Sequence, residues 1–234
     1  KTKLRPTRED RRLDREILSE TFTIGLPALG TTFVSCFGYI AFARMVSGMG
    51  TTIFAAHSIA ITAEQIVYIP GYGLRVATST LVGNALGEKD IRKLKATERV
   101  SILITLLIMV VNGIGLYLFA YPFMRLFTNS VNAARIGSEM LRLVSFSEPF
   151  FGLMIVLEGI SYGMGRTKHV FACEAVSMWG IRIFGTFLCV NVFGLGLKAV
   201  WLCMIADNIC KAILLYIFRP KHVEENADDR GELR

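Results

Sequence analysis

Apolar residues gather in six long blocks along this chain, at positions 22–46, 53–82, 100–121, 140–162, 170–193 and 197–218. Short polar or glycine-rich connections separate them. A helix needs about 20 mostly apolar residues to cross a bilayer, and each block reaches that length. Only a helix or a closed barrel satisfies its own backbone inside lipid. The pattern therefore predicts an all-α, polytopic membrane protein with six transmembrane helices.

These blocks are not plain anchors. The run 69–90 carries Pro70, Gly71, Gly73, Ala77, Ser79 and Gly83, holds the cation Arg75, and stops at Gly87 before the charged turn Glu88-Lys89-Asp90. Small residues let helices approach closely, and proline removes a backbone donor. Pro27, Pro70, Gly71 and Pro149 are hinge candidates, and the second block is expected to bend at Pro70-Gly71. Gly25, Gly73, Gly113 and Gly115 are expected to serve close packing or bending. The fourth block is interrupted at Glu148-Pro149.

Composition agrees with a membrane protein: 53% of 234 residues are hydrophobic, and 26 basic against 19 acidic residues give a formal charge of +7. The cations sit between apolar blocks rather than in one stripe, which argues against a nucleic-acid partner. The N-terminal tail (Lys1, Lys3, Arg5, Arg8, Arg11, Arg12, Arg15), the connection at Lys89–Arg99, the pair Arg166 and Lys168, and the C-terminal tail fall on one side of a six-span topology. The other side holds only Arg125, Arg135, Lys198 and the edge residue Arg44. Cations are retained in the cytoplasm during insertion, so both termini are expected there, in a plasma (inner) membrane. The domain reading is a basic cytoplasmic linker at 1–20, a six-helix lobe at 21–220 and a polar cytoplasmic tail at 221–234. The first tail reads as a linker from an upstream segment.

Ionisable residues inside a bilayer are costly and ask for a reason. Glu148, beside Pro149, is a candidate holder of a proton or small cation. Glu64, in the polar patch Thr62-Ala63-Glu64-Gln65, is expected to face a polar cavity or another helix. Arg75 is its possible partner, or snorkels to the cytoplasm. Asp207 and Lys211, four apart on one helix face, are expected to neutralise each other. Glu158 is expected to pair with Arg166, and His57 to be a satisfied interface residue. Glu174 and Arg182 share a face but stand too far apart to pair. Cys36, Cys173, Cys189, Cys203 and Cys210 lie in apolar segments and read as small buried hydrophobes. There is no metal-ligand spacing, phosphate loop or catalytic constellation, so no enzyme, no metal and no cofactor are expected.

Several motifs together resemble the second half of a multidrug and toxic compound extrusion transporter: Gly25-Leu26-Pro27-Ala28, Phe54 to Ala60, Pro70-Gly71-Tyr72-Gly73, Ala77-Thr78-Ser79, Val82 to Gly87, Glu158-Gly159 to Thr167, and Gly194-Leu195-Gly196 to Trp201. The resemblance implies one lobe of a two-lobe, twelve-helix transporter that exports drugs or other organic cations, with Na+ or H+ as coupling ion. It implies small-molecule organic cations and membrane lipid as partners, together with an N-terminal six-helix lobe or a second copy. By ungapped alignment, two acidic positions of some members fall on Ser35 and Phe151 here, and a third falls near Thr62. The pathway candidates are thus Glu64, Arg75, Glu148, Ser35 and Gln65. Two alternatives stay open on sequence alone. One is a lipid-linked oligosaccharide flippase using Arg75, Arg142 and Arg182. The other is a non-transporting membrane scaffold.

Overall fold

The computed structural model describes residues 15–218. The expected tails at 1–14 and 219–234 lie outside the described residues. Every regular element within them is helical: α1 (Arg15–Ser47), α2 (Thr51–Gly87), α3 (Ile91–Phe127), α4 (Val131–Ser145), α5 (Glu148–Gly163), α6 (Thr167–Ser177), a short α7 (Phe184–Phe187) and α8 (Leu197–Ile217). Two π-helical turns, Met178–Ile183 and Leu188–Val192, join α6 and α7 into a continuous run ending at Val192. Five helical stretches are long and apolar enough to cross a membrane, and a sixth is reached if α4 and α5 count together.

The helices outrun the apolar blocks, because polar residues continue them past the hydrocarbon. α1 begins at Arg15, inside the stretch read as a linker. α3 begins at Ile91, where Asp90 caps it by accepting from the Lys93 amide at 2.9 Å. An acceptor at that position satisfies a donor the helix cannot. Ser130 does the same for α4 through the Ala133 amide at 3.3 Å. The tight turns at Gly50, Gly165 and Gly194 have φ of 112°, 71° and 61°, values that favour a residue without Cβ.

The hinge candidates behave unequally. α1 stays helical through Pro27, and α2 stays helical through Pro70 and Gly71. Gly71 is buried against Met109 and Ile155 instead. Pro149, by contrast, opens α5. Its missing N–H falls where a helix start has no partner to lose. The fourth block is consequently two helices meeting at 61°. The amide and the hydroxyl of Ser147 both donate to the Val144 carbonyl across the break, at 2.7 and 2.8 Å.

α5 is the central element, packed against α2, α3 and α8. Its glycines set the spacing. A Cβ on Gly159 would lie 2.7 Å from the Arg75 carbonyl oxygen, and one on Gly163 would lie 2.5 Å from that of Ser79. On the α3 side, a Cβ at Gly113 would lie 2.7 Å from the Ser145 carbonyl oxygen. Among the described residues, a Cβ on Gly25, Gly73 or Gly115 would meet nothing within 4 Å, so these glycines mark no close helix contact there. One apolar core gathers around Trp201, Met124, Met140 and Leu141. The other gathers around Tyr68, Met109, Ile155 and Leu157. Large apolar side chains such as Phe33, Phe37, Ile40, Leu103 and Leu107 point outward, as a lipid-immersed surface requires.

The cysteines do not share one environment. Cys173 is buried, Cys36 is exposed and the others are half-buried. In a bilayer protein an apolar segment is not a buried one, so the buried-hydrophobe reading holds for Cys173 alone.

Gly163→Val should force α2 and α5 apart and cost about 1–3 kcal/mol, the usual range for overpacking. Gly115→Val, which meets nothing within 4 Å, should cost far less. Thermal denaturation of both variants in detergent, followed by monodispersity, checks the contrast.

Candidate functional site

A cleft of ≈ 690 Å³ opens between α1, α2, α5, α6 and α8. It collects many of the polar side chains that the apolar segments carry. Ser35 comes from α1, Glu64, Gln65 and Arg75 from α2, Glu158 from α5, Glu174 from α6 and Lys211 from α8. Four of the five pathway candidates therefore share one surface. Gln65 is among its exposed members.

The charges of the cleft are matched across helices. Arg75 Nη1 lies 3.0 Å from Glu158 Oε2, joining α2 to α5. Lys211 pairs with Glu174, joining α8 to α6. The other Glu174 oxygen accepts from Ser35 Oγ at 2.5 Å, which adds α1. Arg182, carried by the first π turn, sets its Nε 2.8 Å from Asp207 Oδ2. It also donates from Nη2 to Asn208 Oδ1 at 3.3 Å, and its guanidinium lies over the rings of Tyr39 and Phe42. Ser177 donates to Asp207 as well.

Three expected pairings are corrected by this arrangement. Asp207 and Lys211 do not neutralise each other, because both face the preceding span, which offers Arg182 and Glu174. Glu158 takes Arg75 and not Arg166, which is exposed. Arg75 is neither the partner of Glu64 nor a snorkelling residue. Its Gly159-lined contact with α5 brings it to Glu158 instead.

Glu64 stands apart. It is 2% exposed and accepts from the Tyr68 hydroxyl one turn along α2. Among the described residues no basic group lies within ion-pair distance of it. Tyr68 in turn stacks on Phe151, with ring centroids 3.7 Å apart and planes at 15°. Tyr72 meets Phe151 edge-on, and Arg75 lies over the Tyr72 ring at 5.3 Å. The wall beside Glu64 is therefore aromatic.

Glu148 is not in the cleft. It is fully buried at the α4–α5 break, its Cβ and Cγ against Gly113 of α3. Neither carboxyl oxygen has a hydrogen-bond partner among the described residues. His57 is satisfied as expected but lies in the core. It is 4% exposed and accepts at Nδ1 from Trp201 Nε1 at 3.2 Å.

Sequence reading missed Tyr68, Asn208 and the cross-helix roles of Glu174, Arg182, Asp207 and Lys211. A usable signal was present. Two neighbouring spans joined by the short Gly194-Leu195-Gly196 turn must run antiparallel. Acid then base on one, followed by acid then base on the other, brings opposite charges together.

A family profile described as MatE matches residues 27–188. A probable multidrug resistance protein NorM of Thermotoga maritima is 30% identical over 201 residues, covering 85% of this chain and 43% of the relative. Its counterpart in Photorhabdus laumondii is 28% identical over 86% of this chain and 45% of the relative. The chain thus spans less than half the length of these curated relatives. Crystal structures described as MATE in the straight and bent conformations superpose with TM-scores of 0.85 and 0.86. They share 21% and 19% identity, and each alignment covers 95% of this chain. It covers 50% and 49% of those chains. A MOP superfamily transporter from Pyrococcus furiosus, described as having a binding pocket of reverse polarity, matches with a TM-score of 0.84 at 21% identity. That alignment covers 93% of this chain and 49% of the other.

Asp207→Asn should leave the Arg182 guanidinium buried without its carboxylate and cost roughly 3–5 kcal/mol. Removing the exposed partner in the Lys93–Glu88 pair, by Glu88→Gln, should cost at most about 1 kcal/mol. Chemical denaturation of the two variants in the same detergent tests the difference.

Proposed function

The chain belongs to the MatE family of multidrug efflux transporters, and from that premise we propose that it forms the C-terminal lobe of a cation-coupled antiporter. The whole protein exports organic cations by alternating access across a plasma membrane, with both ends of this lobe in the cytoplasm. A second six-helix lobe, or a copy of this one, supplies the facing wall. Rocking of two lobes about a site near the bilayer midplane is how repeat-built transporters alternate.

One observation carries the reading. Glu64 sits in a cleft where the basic side chains Arg75, Arg182 and Lys211 each have a carboxylate of their own. Among the described residues this carboxylate thus has no ion-pair partner, and it stands beside the rings of Tyr68, Phe151 and Tyr72. A carboxylate in an aromatic wall suits a cationic guest, because positive charge is attracted by the acid and by ring quadrupoles. Either Na+ or H+ can discharge the same acid between substrate turns.

The oligosaccharide flippase alternative needs a cleft with free cations. Arg75 and Arg182 are already paired, and Arg142 is exposed and does not line the cleft. The scaffold alternative gives no reason for a polar cleft of this size.

Glu64→Gln keeps an acceptor for Tyr68 and removes the charge. In the full-length transporter it should lower ethidium efflux by about tenfold or more, equivalent to roughly 1.4 kcal/mol. Glu88→Gln should efflux normally. Dye efflux from cells with matched protein levels measures this, and unchanged efflux by Glu64→Gln would remove the main support for the reading.

A further inference from the structure

We propose that the Lys211 ammonium is a tethered cation occupying a monovalent-cation site built from Glu174 and Ser35. This carboxylate of the lobe is filled by a side chain, so a free ion does not take it. The proposal deepens the antiporter reading, since it treats the cleft as an ion-facing surface, but its readout is ion binding and not efflux.

Three features of the structure carry it. First, both oxygens of Glu174 are engaged on the cleft wall, one by the Ser35 hydroxyl at 2.5 Å and the other by Lys211. A hydroxyl and a carboxylate are hard oxygen donors of the sort a small cation takes. Ser35, Glu174 and Lys211 all line the cleft, so an ion entering it reaches this group.

Second, the residue is lysine. Arg75 and Arg182 use the planar guanidinium, whose fork and ring-stacking fix geometry. Lysine offers a compact point charge on a flexible stem, closer in size and charge density to a bare monovalent ion. Lys211 is only 6% exposed, and its ammonium pairs across helices with the Glu174 carboxylate that α6 contributes.

Third, deleting this cation leaves a buried carboxylate that needs another. An unpaired charge at 4% exposure, as in Glu174, is strongly unfavourable. The remaining donor set can recover a counter-ion from solution because the cleft gives access. In the native chain Lys211 keeps the charge at Glu174 constant, and Glu64 remains the acid free to exchange its cation.

The test is sodium binding to the purified full-length protein, measured with radioactive sodium at constant ionic strength against choline. Lys211→Met should bind one sodium equivalent more than the unmodified protein. The gain should disappear in Lys211→Met/Glu174→Gln and be absent from Lys211→Arg, which keeps a tethered charge. A folded, monodisperse Lys211→Met protein with the unmodified stoichiometry overturns the proposal. Where Lys211→Met folds poorly, its folded yield is compared in sodium, ammonium and choline salts. Recovery by the two small cations but not by choline supports a vacated cation site, and equal yields in all three overturn it. Loss of efflux in Glu64→Gln without any change in these binding results would separate the two readings.

Discussion

A charge placed in a low-dielectric interior must meet its opposite, and that requirement arranges this lobe. Leaving one partner buried alone costs roughly 3–5 kcal/mol, whereas the intact pair adds little net stability over apolar packing. The pairs are therefore better understood as devices of register than as sources of stability. Arg182 with Asp207 and Lys211 with Glu174 bind the last two spans at two levels. Sliding one span past the other by a turn would strand four charges at once. Arg75 with Glu158 fixes α2 against α5 in the same way, and the Ser35 hydroxyl extends the network to α1.

Those pairs require close backbones, which explains the distribution of glycine. Gly159 lets α5 approach the Arg75 carbonyl, and this contact is what brings the arginine's side chain to Glu158 on the same stretch of α5. The π turn at Met178–Ile183 acts on the other side of the cleft. A π turn inserts a residue into the helical repeat and rotates the residues C-terminal to it. Arg182 lies within it and reaches Asp207 and Asn208 while covering Tyr39 and Phe42 of α1. Packing and charge thus constrain each other.

The all-helical membrane fold was legible in the blocks of apolar residues, because the length a bilayer demands leaves few alternatives. The break at Pro149 was legible too, since a proline that comes just after Ser147 and Glu148 begins a helix more readily than it continues one. The unbroken helix through Pro70 was not: Gly71 there is packed by Met109 and Ile155 from other helices, which local sequence does not reveal. The polar patch around Glu64 left open a polar cavity or another helix, and Glu64 lines the cleft. Charge pairing failed where reasoning stayed within a single helix. Asp207 and Lys211 satisfy the i,i+4 rule, worth only about 0.2–0.5 kcal/mol, and a buried cross-helix partner outweighs it.

Glu64 and Glu148 show how environment divides one residue type into two roles. Both are buried carboxyls near the middle of the lobe. Glu64 lines the cleft and accepts a hydrogen bond from Tyr68. Glu148 lies behind the Tyr68–Phe151 wall, at the junction of two helices, with α3 pressed against its side chain at Gly113. Access and not chemistry distinguishes them: the first lines the cleft, while the second is enclosed at the 61° junction between α4 and α5. The cleft acid is thus placed on the polar wall of the lobe, and the junction acid within its packing.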